Sequence, residues 1–317
     1  ADPHEIVNVS GMTGLNYMIE AAKLAPLDIR YMMPPCVPST KFEHAGAQIG
    51  AQEIQDALSA GKVDGLAELM NYVGVINNDP QMLDEILAAN KYKARIDGHA
   101  PELMGKDLNA YIAAGANNDH ECSTVEEARQ RLSRGMYVLL RQGTTEHNLE
   151  TLLPVVTSQN SRRCLLCGDD VQAKTAISVG HLDSDIRICI SHGLSPITAI
   201  RMATLNAAEY CRLYDRGGIA PSKRADLLVV DNLRQFNVQQ VYIKGKLVAE
   251  NGHYLPAVKR YPIDSVTNSV HVKDFNSEKL RMHLTGKPVR VIEALSGQVL
   301  TGEKILHVQS DSLGNFK

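Results

Sequence analysis

Two histidines, His99 and His120, each follow a short apolar run, and an imidazole can bind a metal ion or transfer a proton. The runs span 92–96 and 111–116, and about twenty residues separate the histidines, enough for a strand, a helix and the next strand. Side chains at the carboxyl ends of neighbouring strands of a parallel barrel converge on one mouth. The spacing therefore predicts that the two imidazoles bind one metal ion or substrate together.

Two carboxylates occupy similar positions. Glu68 lies inside the apolar run 63–70, where an unpaired carboxylate is costly unless it binds a cation. Asp169 follows the run 164–167, and its neighbour Asp170 is predicted to cap the next helix. Two imidazoles and two carboxylates from four strand ends favour Zn²⁺, Mn²⁺ or Fe²⁺ over Ca²⁺ or Mg²⁺, because imidazole is a borderline ligand. Simple structural roles remain open: satisfied core or surface histidines, and a first-turn helix acid for Glu68.

Composition narrows the class of protein. With 317 residues, 44% of them hydrophobic and 22% charged, the chain can bury a large core. The net charge is −3 and like charges do not form long runs, so we expect a small-molecule partner rather than nucleic acid or a membrane. Six scattered cysteines favour a reducing cytoplasm over a disulfide framework.

Helical and strand-like segments alternate along the chain. Predicted helices span 14–23, 51–60, 81–89, 105–113, 124–134 and 148–157. Apolar runs lie between or after them at 29–37, 63–70, 92–96, 111–116, 136–141 and 164–167. This order predicts an α/β barrel or a doubly wound sheet, and the absence of a Gly-rich phosphate fingerprint disfavours the nucleotide-binding version of the latter.

The last third is predicted to be richer in strands. A helix opens at 195–200, a buried strand follows at 225–231, and 238–243 with 246–248 form a hairpin around Lys244-Gly245. Two more apolar stretches, 289–295 and 303–308, predict a further β-rich segment.

Several motifs together are typical of one family. They are Asp2-Pro3-His4-Glu5-Ile6, Gly65-Leu66-Ala67-Glu68, Asp97-Gly98-His99-Ala100-Pro101, Gly105-Lys106-Asp107-Leu108-Asn109-Ala110-Tyr111, Asp119-His120-Glu121, Gly180-His181-Leu182-Asp183 and Ala203-Thr204-Leu205-Asn206-Ala207-Ala208-Glu209-Tyr210. Over nearly its whole length the sequence resembles the bacterial-type adenine deaminases of the amidohydrolase superfamily. That resemblance implies a distorted TIM-like (β/α)₈ barrel, adenine as substrate, a homo-oligomer such as a dimer, and a place in purine salvage.

The resemblance also implies roles for individual residues. Glu68 would bridge two divalent metal ions, with His99 and His120 holding one of them. Asp169 would hold the other ion and handle protons while a metal-activated hydroxide attacks C6 of adenine, giving hypoxanthine and ammonia. We predict that Glu121 protonates a ring nitrogen, the alternative being a first-turn acid of the helix at 124–134. The predicted substrate contacts, each with a purely structural role as its alternative, are His4, Arg141, His181 and Asp183.

Two features depart from the family pattern. The His-x-His pair that the family has on its first barrel strand has no counterpart in this sequence. Asp169 corresponds to the family's aspartate at strand eight, and it is followed by Asp170-Val171-Gln172 where the family usually has Asp-Arg-x-Pro. We therefore expect a chain shortened at both ends. Its predicted domains are a barrel lacking strand 1 (1–212), part of a composite β-sandwich (213–262) and the start of a C-terminal domain (263–317).

Other functions remain open on sequence alone. A different amidohydrolase, such as a dihydroorotase or an N-acetylhexosamine-phosphate deacetylase, would use the same metal set on a different carbon. The alternative function is therefore another amidohydrolase, one that acts on a cyclic amide or amidine. Glu68 argues against the dihydroorotase, because some of those enzymes use a carboxylated lysine as the bridge. The third possibility is a catalytically inactive fragment that serves as a scaffold.

Overall fold

Parallel strands separated by helices make up the first two thirds of the chain. The computed structural model describes residues 1–317. Its helices are α1 His4–Ala22, α2 Ala51–Ser59, α3 Tyr72–Ile76, α4 Pro80–Lys91, α5 Gly105–Ala114, α6 Val125–Ser133, α7 Leu149–Leu152, α8 Ala173–Ser178, α9 Leu182–Ser191, α10 Pro196–Ala203 and α11 Leu205–Tyr210. Its strands are β1 Gly65–Leu69, β2 Arg95–Gly98, β3 Asn118–Asp119, β4 Tyr137–Arg141, β5 Cys164–Cys167, β6 Leu227–Val230, β7 Val238–Ile243, β8 Lys246–Glu250, β9 His253–Tyr254, β10 Val289–Ala294 and β11 Thr301–Leu306. None of the helices is both long and apolar enough to cross a bilayer.

The parallel strands form two sheets that meet at β2 and β3. One sheet pairs β1 with β2, and the other has the order β3-β4-β5. The Asn117 amide donates to the Ile96 carbonyl at 3.0 Å, and Asn118 Oδ1 accepts from the Gly98 amide at 3.1 Å. A Cβ at Gly98 would lie 2.1 Å from the Asn118 carbonyl oxygen, so this close approach requires glycine. The predicted α/β architecture is confirmed, while a closed barrel stays a prediction.

Two hydrophobic cores hold the strands in place. The first surrounds β1 and β2 and includes Leu66, Leu69 and Ile96, none of them more than 1% exposed. The second surrounds β4 and β5 and includes Val138 and Leu140, which are fully buried. Because helices cover these strands, the strand ends are held in fixed positions.

Several sequence predictions were wrong in detail. The run 29–37 forms only an isolated bridge at Met33, because Pro34 and Pro35 lack the amide donors of a ladder. Most of the run 111–116 belongs to α5, whose C-terminal Gly115 leaves two residues for β3. Asp170 does not cap α8, which begins after Gln172 without a side-chain cap.

Helix boundaries also differ from the prediction at two places. α1 begins at His4 rather than at residue 14, with a non-helical Gly11 (φ +56°) inside it. The predicted helix 148–157 is divided into α7 and a 3₁₀ turn that contains Pro154, whose ring cannot continue an α-helix.

The last third is antiparallel. β6 to β9 form one sheet in sequence order, and β10 pairs with β11, so both predicted strand-rich stretches are present. The strand at 225–231 is not buried, however: Leu228 and Val229 are 50% and 42% exposed. β6 is an edge strand and has a neighbour on one side only.

Glu85 on α4 gives the fold a pH-dependent stability. Its side chain is fully buried, its Oε2 has no hydrogen-bond partner, and burial raises its pKa to about 8 from the usual 4.5. The folded protein therefore holds a proton that the unfolded chain releases between those values, so stability falls as the pH rises through this window.

Replacing Glu85 with glutamine removes this pH dependence. We compare the unfolding free energy of Glu85→Gln with that of the unchanged protein. We expect the difference to shift in favour of the variant by about 3 kcal/mol from pH 5 to pH 8. Guanidinium denaturation at both pH values measures the difference, and the exposed neighbour Asp84→Asn is the matched control. A difference that stays constant with pH would show that Glu85 is ionised in the folded protein.

Candidate metal centre

Three of the predicted ligands meet at the carboxyl ends of β1, β2 and β3. Glu68 Oε2 lies 3.1 Å from His99 Nδ1, and Glu68 Oε1 lies 3.4 Å from His120 Nε2. The two imidazole rings meet edge to face, with centroids 5.5 Å apart. Glu68 lies within β1, so its alternative role as a first-turn helix acid was wrong. One carboxylate thus stands between two imidazoles, in a geometry that could hold a cation.

A second set of charges adjoins the first. Glu121 Oε1 lies 3.1 Å from His120 Nε2 and accepts a hydrogen bond from Arg141 Nη1 at 2.6 Å. The same Arg141 nitrogen lies 3.0 Å from Asp169 Oδ2, at the end of β5. Glu121 is almost fully buried and is not in the first turn of α6, so that alternative for it was wrong. The structure brings Glu121, Arg141 and Asp169 to the same mouth as Glu68.

Asp2 is a residue of this site that sequence reasoning missed. His4 begins α1, and its Nδ1 lies 3.3 Å from Asp2 Oδ2, which also accepts from the Glu68 amide at 3.4 Å. Asp2 belongs to the Asp-Pro-His-Glu turn that contains His4, and that turn was the available signal. Asp2, His4 and Glu68 form a second group of side chains whose donor atoms could share a cation.

Two predicted substrate residues lie beside the cluster rather than in it. His181 packs against Gly168, where an added Cβ would be 2.9 Å from His181 Nε2. Asp183 accepts from the His181 amide and pairs with Arg187 at 2.8 Å. Neither side chain forms a hydrogen bond or ion pair with Glu68, the histidines or Asp169. Their substrate role stays a prediction.

The carboxylates change the titration of the groups between them. Burial lowers the pKa of His120, but Glu68, Glu121 and Asp169 raise it more strongly, to about 10. Burial raises the pKa of Glu68, but the positive charges of His120 and His99 lower it to about 2. The pKa of Glu121 is likewise lowered by His120, His99 and Arg141 against the effect of burial. A site that stabilises protonated imidazole so strongly has a negative potential that also favours a metal cation.

A buried ion pair positions the two histidines. Arg131 of α6 is fully buried and donates from Nε to Asp119 Oδ2 at 3.0 Å. Its other nitrogens donate to the carbonyls of Ala100 and Leu103, in the loop after His99. Since Asp119 directly precedes His120, one guanidinium fixes the backbone beside both imidazoles.

The residues present fit a divalent metal ion. Two buried oxygens, Asp2 Oδ1 and Glu121 Oε2, have no hydrogen-bond partner, as expected where a cation or substrate completes the site. The donors are imidazole nitrogens and carboxylate oxygens, a set that suits borderline transition metals.

Comparison with known families agrees with this geometry. The profile of the Amidohydrolase family matches residues 1–248. The chain belongs to the amidohydrolase family. Members of this superfamily depend on metal ions, and this amidohydrolase has a cluster that could hold one.

Curated relatives are similar to this chain over its whole length. This amidohydrolase is 62% identical over 316 residues to the adenine deaminase of Ligilactobacillus salivarius. The alignment covers 100% of this chain and 55% of that relative. It is 48% identical over 316 residues to adenine deaminase 2 of Desulfotalea psychrophila, with the same coverage of 100% and 55%. The chain spans about half the length of the curated relatives it matches.

A solved structure supports the fold. The N-acetyl-D-glucosamine-6-phosphate deacetylase of Mycobacterium smegmatis has a TM-score of 0.54 and 19% sequence identity, covering 78% of this chain and 73% of the other. At this identity the likeness supports the fold alone.

Loss of the buried guanidinium would loosen the site and the fold together. In Arg131→Gln, Asp119 and two loop carbonyls lose their partner, so we expect the unfolding free energy to fall by about 3–5 kcal/mol. Arg129→Gln removes the same charge from an exposed position on α6 and should change stability by less than about 0.5 kcal/mol. Chemical denaturation of both variants measures the contrast, and equal stabilities would rule out the positioning role.

Glu68 should control metal affinity. In Glu68→Gln the negative charge between the two imidazoles is lost, so Mn²⁺ and Zn²⁺ should bind more weakly by at least about tenfold. Equilibrium dialysis followed by elemental analysis gives the affinity, with exposed Glu126→Gln as the control. Unchanged affinity in the Glu68 variant would place the metal elsewhere.

Proposed function

We propose that this amidohydrolase hydrolyses adenine to hypoxanthine and ammonia. The observation that carries the proposal is the 62% identity over the whole chain to a protein named adenine deaminase. The cluster around Glu68 supports it, because it supplies the imidazole and carboxylate donors that metal-dependent hydrolysis needs. Mn²⁺ or Fe²⁺ is the proposed metal and Zn²⁺ the alternative, with two ions per site, as the resemblance implies.

The proposed ligands are Glu68, His99, His120 and Asp169. When bound, a divalent cation supplies Lewis acidity that makes water nucleophilic at neutral pH. Glu68 contributes one oxygen toward each imidazole, which suits a bridging carboxylate. Asp2 and His4, close to Glu68, are further donors on the same side of the cluster.

Two carboxylates account for the proton transfers. The oxygen of the attacking water forms a bond to C6 of adenine, and both protons of that water must be transferred. We assign the first transfer to Asp169, which passes the proton to the departing amino group so that ammonia leaves. We assign the second to Glu121, whose Oε2 is buried without a hydrogen-bond partner and would deliver the proton to a ring nitrogen. Atoms balance, because hypoxanthine gains one hydrogen on the ring and ammonia gains the other.

Arg141 contacts both carboxylates that are assigned a proton transfer, Glu121 and Asp169. Its Nη1 bonds both Glu121 and Asp169, and the guanidinium is buried, so it holds the two groups at fixed positions and offsets their mutual repulsion. His4 and His181 lie beside this mouth and are proposed to contact the purine, together with Asp183. The division into a barrel (1–212), part of a β-sandwich (213–262) and a C-terminal segment (263–317), the dimer and the cytoplasmic location stay predictions.

Ammonia release from adenine tests the proposal. The purified chain is dialysed against a chelator, then supplied with Mn²⁺, Fe²⁺ or Zn²⁺, and ammonia is measured. We expect metal-dependent activity that falls by at least about a hundredfold in Asp169→Asn, because the proton acceptor is lost. Asp170→Asn, a neighbour that contacts neither histidine, is the control and should keep most of the activity.

The outcome separates the alternatives. Activity toward a cyclic amide but not adenine would favour another amidohydrolase reaction. No activity with any metal, in a chain that folds and binds metal, would contradict catalysis by these 317 residues and favour the scaffold role.

A further inference from the structure

A polar cavity lies at the end of the parallel strands that is opposite the candidate metal centre. Its lining includes Arg95 and Tyr137, the first residues of β2 and β4, and Arg163, which directly precedes β5. The candidate metal centre lies at the carboxyl ends of these strands, so this cavity lies at their amino ends. Its volume is about 330 Å³.

Arginines dominate this cavity. We call it the arginine pocket, after its lining residues Arg95, Arg134, Arg163 and Arg212. Glu209 is the acidic residue of the lining, and it pairs with Arg162 at 2.6 Å, outside the lining. Arg134, Arg163 and Arg212 form no ion pair with any carboxylate of the chain. The pocket therefore has an excess of positive charge.

Neutral groups orient three of these guanidinium groups. Arg134 Nε donates to Asn109 Oδ1 at 2.6 Å, and Arg212 Nη1 donates to the Lys93 carbonyl at 2.7 Å. Arg163 Nη1 donates to a carbonyl at 2.9 Å while its guanidinium lies 4.5 Å from the centroid of the Tyr137 ring. Each guanidinium has five N–H donors, so these contacts hold it in place without neutralising it or using its donors up.

Arg95 forms the buried part of the pocket. Its side chain is 10% exposed, and its guanidinium lies 4.8 Å from the centroid of the Tyr210 ring. Its carboxylate neighbour is Asp97, at 3.4 Å, a distance beyond that of a strong charged hydrogen bond. Even if Asp97 and Glu209 are both counted against the four arginines, two positive charges remain.

We propose that the arginine pocket binds a phosphate group as its dianion, either free phosphate or the phosphate of a small metabolite. The forked donors of arginine match the oxygens of phosphate, and a dianion balances the excess of two charges. Arginines from four separate segments line the cavity, and a tetrahedral anion presents oxygens in several directions to their N–H donors. The proposal does not depend on adenine hydrolysis, since the pocket lies away from the candidate metal centre.

Calorimetric titration of the 317-residue chain tests the proposal, with inorganic phosphate, adenosine monophosphate and succinate as separate probes. We expect phosphate or the nucleotide to bind the unchanged protein, and binding to weaken at least about tenfold in Arg134→Gln/Arg163→Gln. The control Arg129→Gln/Arg281→Gln removes two charges from exposed arginines outside the pocket and should leave the affinity within about twofold. Arg163→Lys keeps the charge and loses the fork, so its affinity should be intermediate.

The probes distinguish the source of the phosphate. Equal affinities for phosphate and the nucleotide would show that the pocket recognises the phosphate group alone, whereas binding of the nucleotide only would identify a phosphorylated metabolite as the ligand. Three results would overturn the proposal: no binding of either probe, binding that is unchanged in the double arginine variant, or succinate binding as tightly as phosphate. The second result would place the anion at the candidate metal centre or at another surface.

Discussion

The site depends on the negative charge that Glu68 introduces between two imidazoles inside a hydrophobic strand. A carboxylate in that position needs polar partners, and the imidazoles of His99 and His120 lie beside it from the two next strands. Glu121 and Asp169 add further negative charge, which Arg141 offsets from the neighbouring strand β4. The cluster is thus a set of closely spaced charged and polar side chains whose donor atoms suit a metal cation. Two buried oxygens of the cluster, Asp2 Oδ1 and Glu121 Oε2, have no hydrogen-bond partner in the chain.

The surrounding fold holds this cluster through backbone contacts made by a few buried polar side chains. Arg131 bonds Asp119 and the carbonyls after His99, and Tyr111 Oη accepts from the His99 amide and donates to the Leu69 carbonyl. Asn118 joins the two parallel sheets where no continuous ladder runs between them. Carboxylates cluster at the carboxyl ends of the strands, and arginines line the cavity at their amino ends. The candidate metal centre and the arginine pocket thus lie at opposite ends of the strands.

Sequence patterns predicted the order of the elements well where each one carries its own local signal. Helix α6 has a capping box at Thr124 and Glu127, and α4 has Asp79 before Pro80, so both begin close to where the pattern places them. Patterns failed where an apolar run indicates a strand but prolines or a continuing helix prevent a ladder. The run containing Pro34 and Pro35 is as apolar as a strand but forms one bridge, and β3 is limited to two residues because α5 extends over the apolar stretch before it.

The sequence alone indicates which residues could form the candidate metal centre, because Glu68, His99, His120 and Asp169 each stand at or near the end of an apolar run. It also determined the family, through motifs whose spacing is local. How these groups pair is set by the tertiary structure: Arg141 joins Glu121 to Asp169, and Arg131 is buried against Asp119. The tertiary structure alone brought four arginines from separate segments into one pocket. The physical reason is that Coulomb and hydrogen-bond energies depend on distances between residues far apart in sequence, which periodicity and composition do not encode.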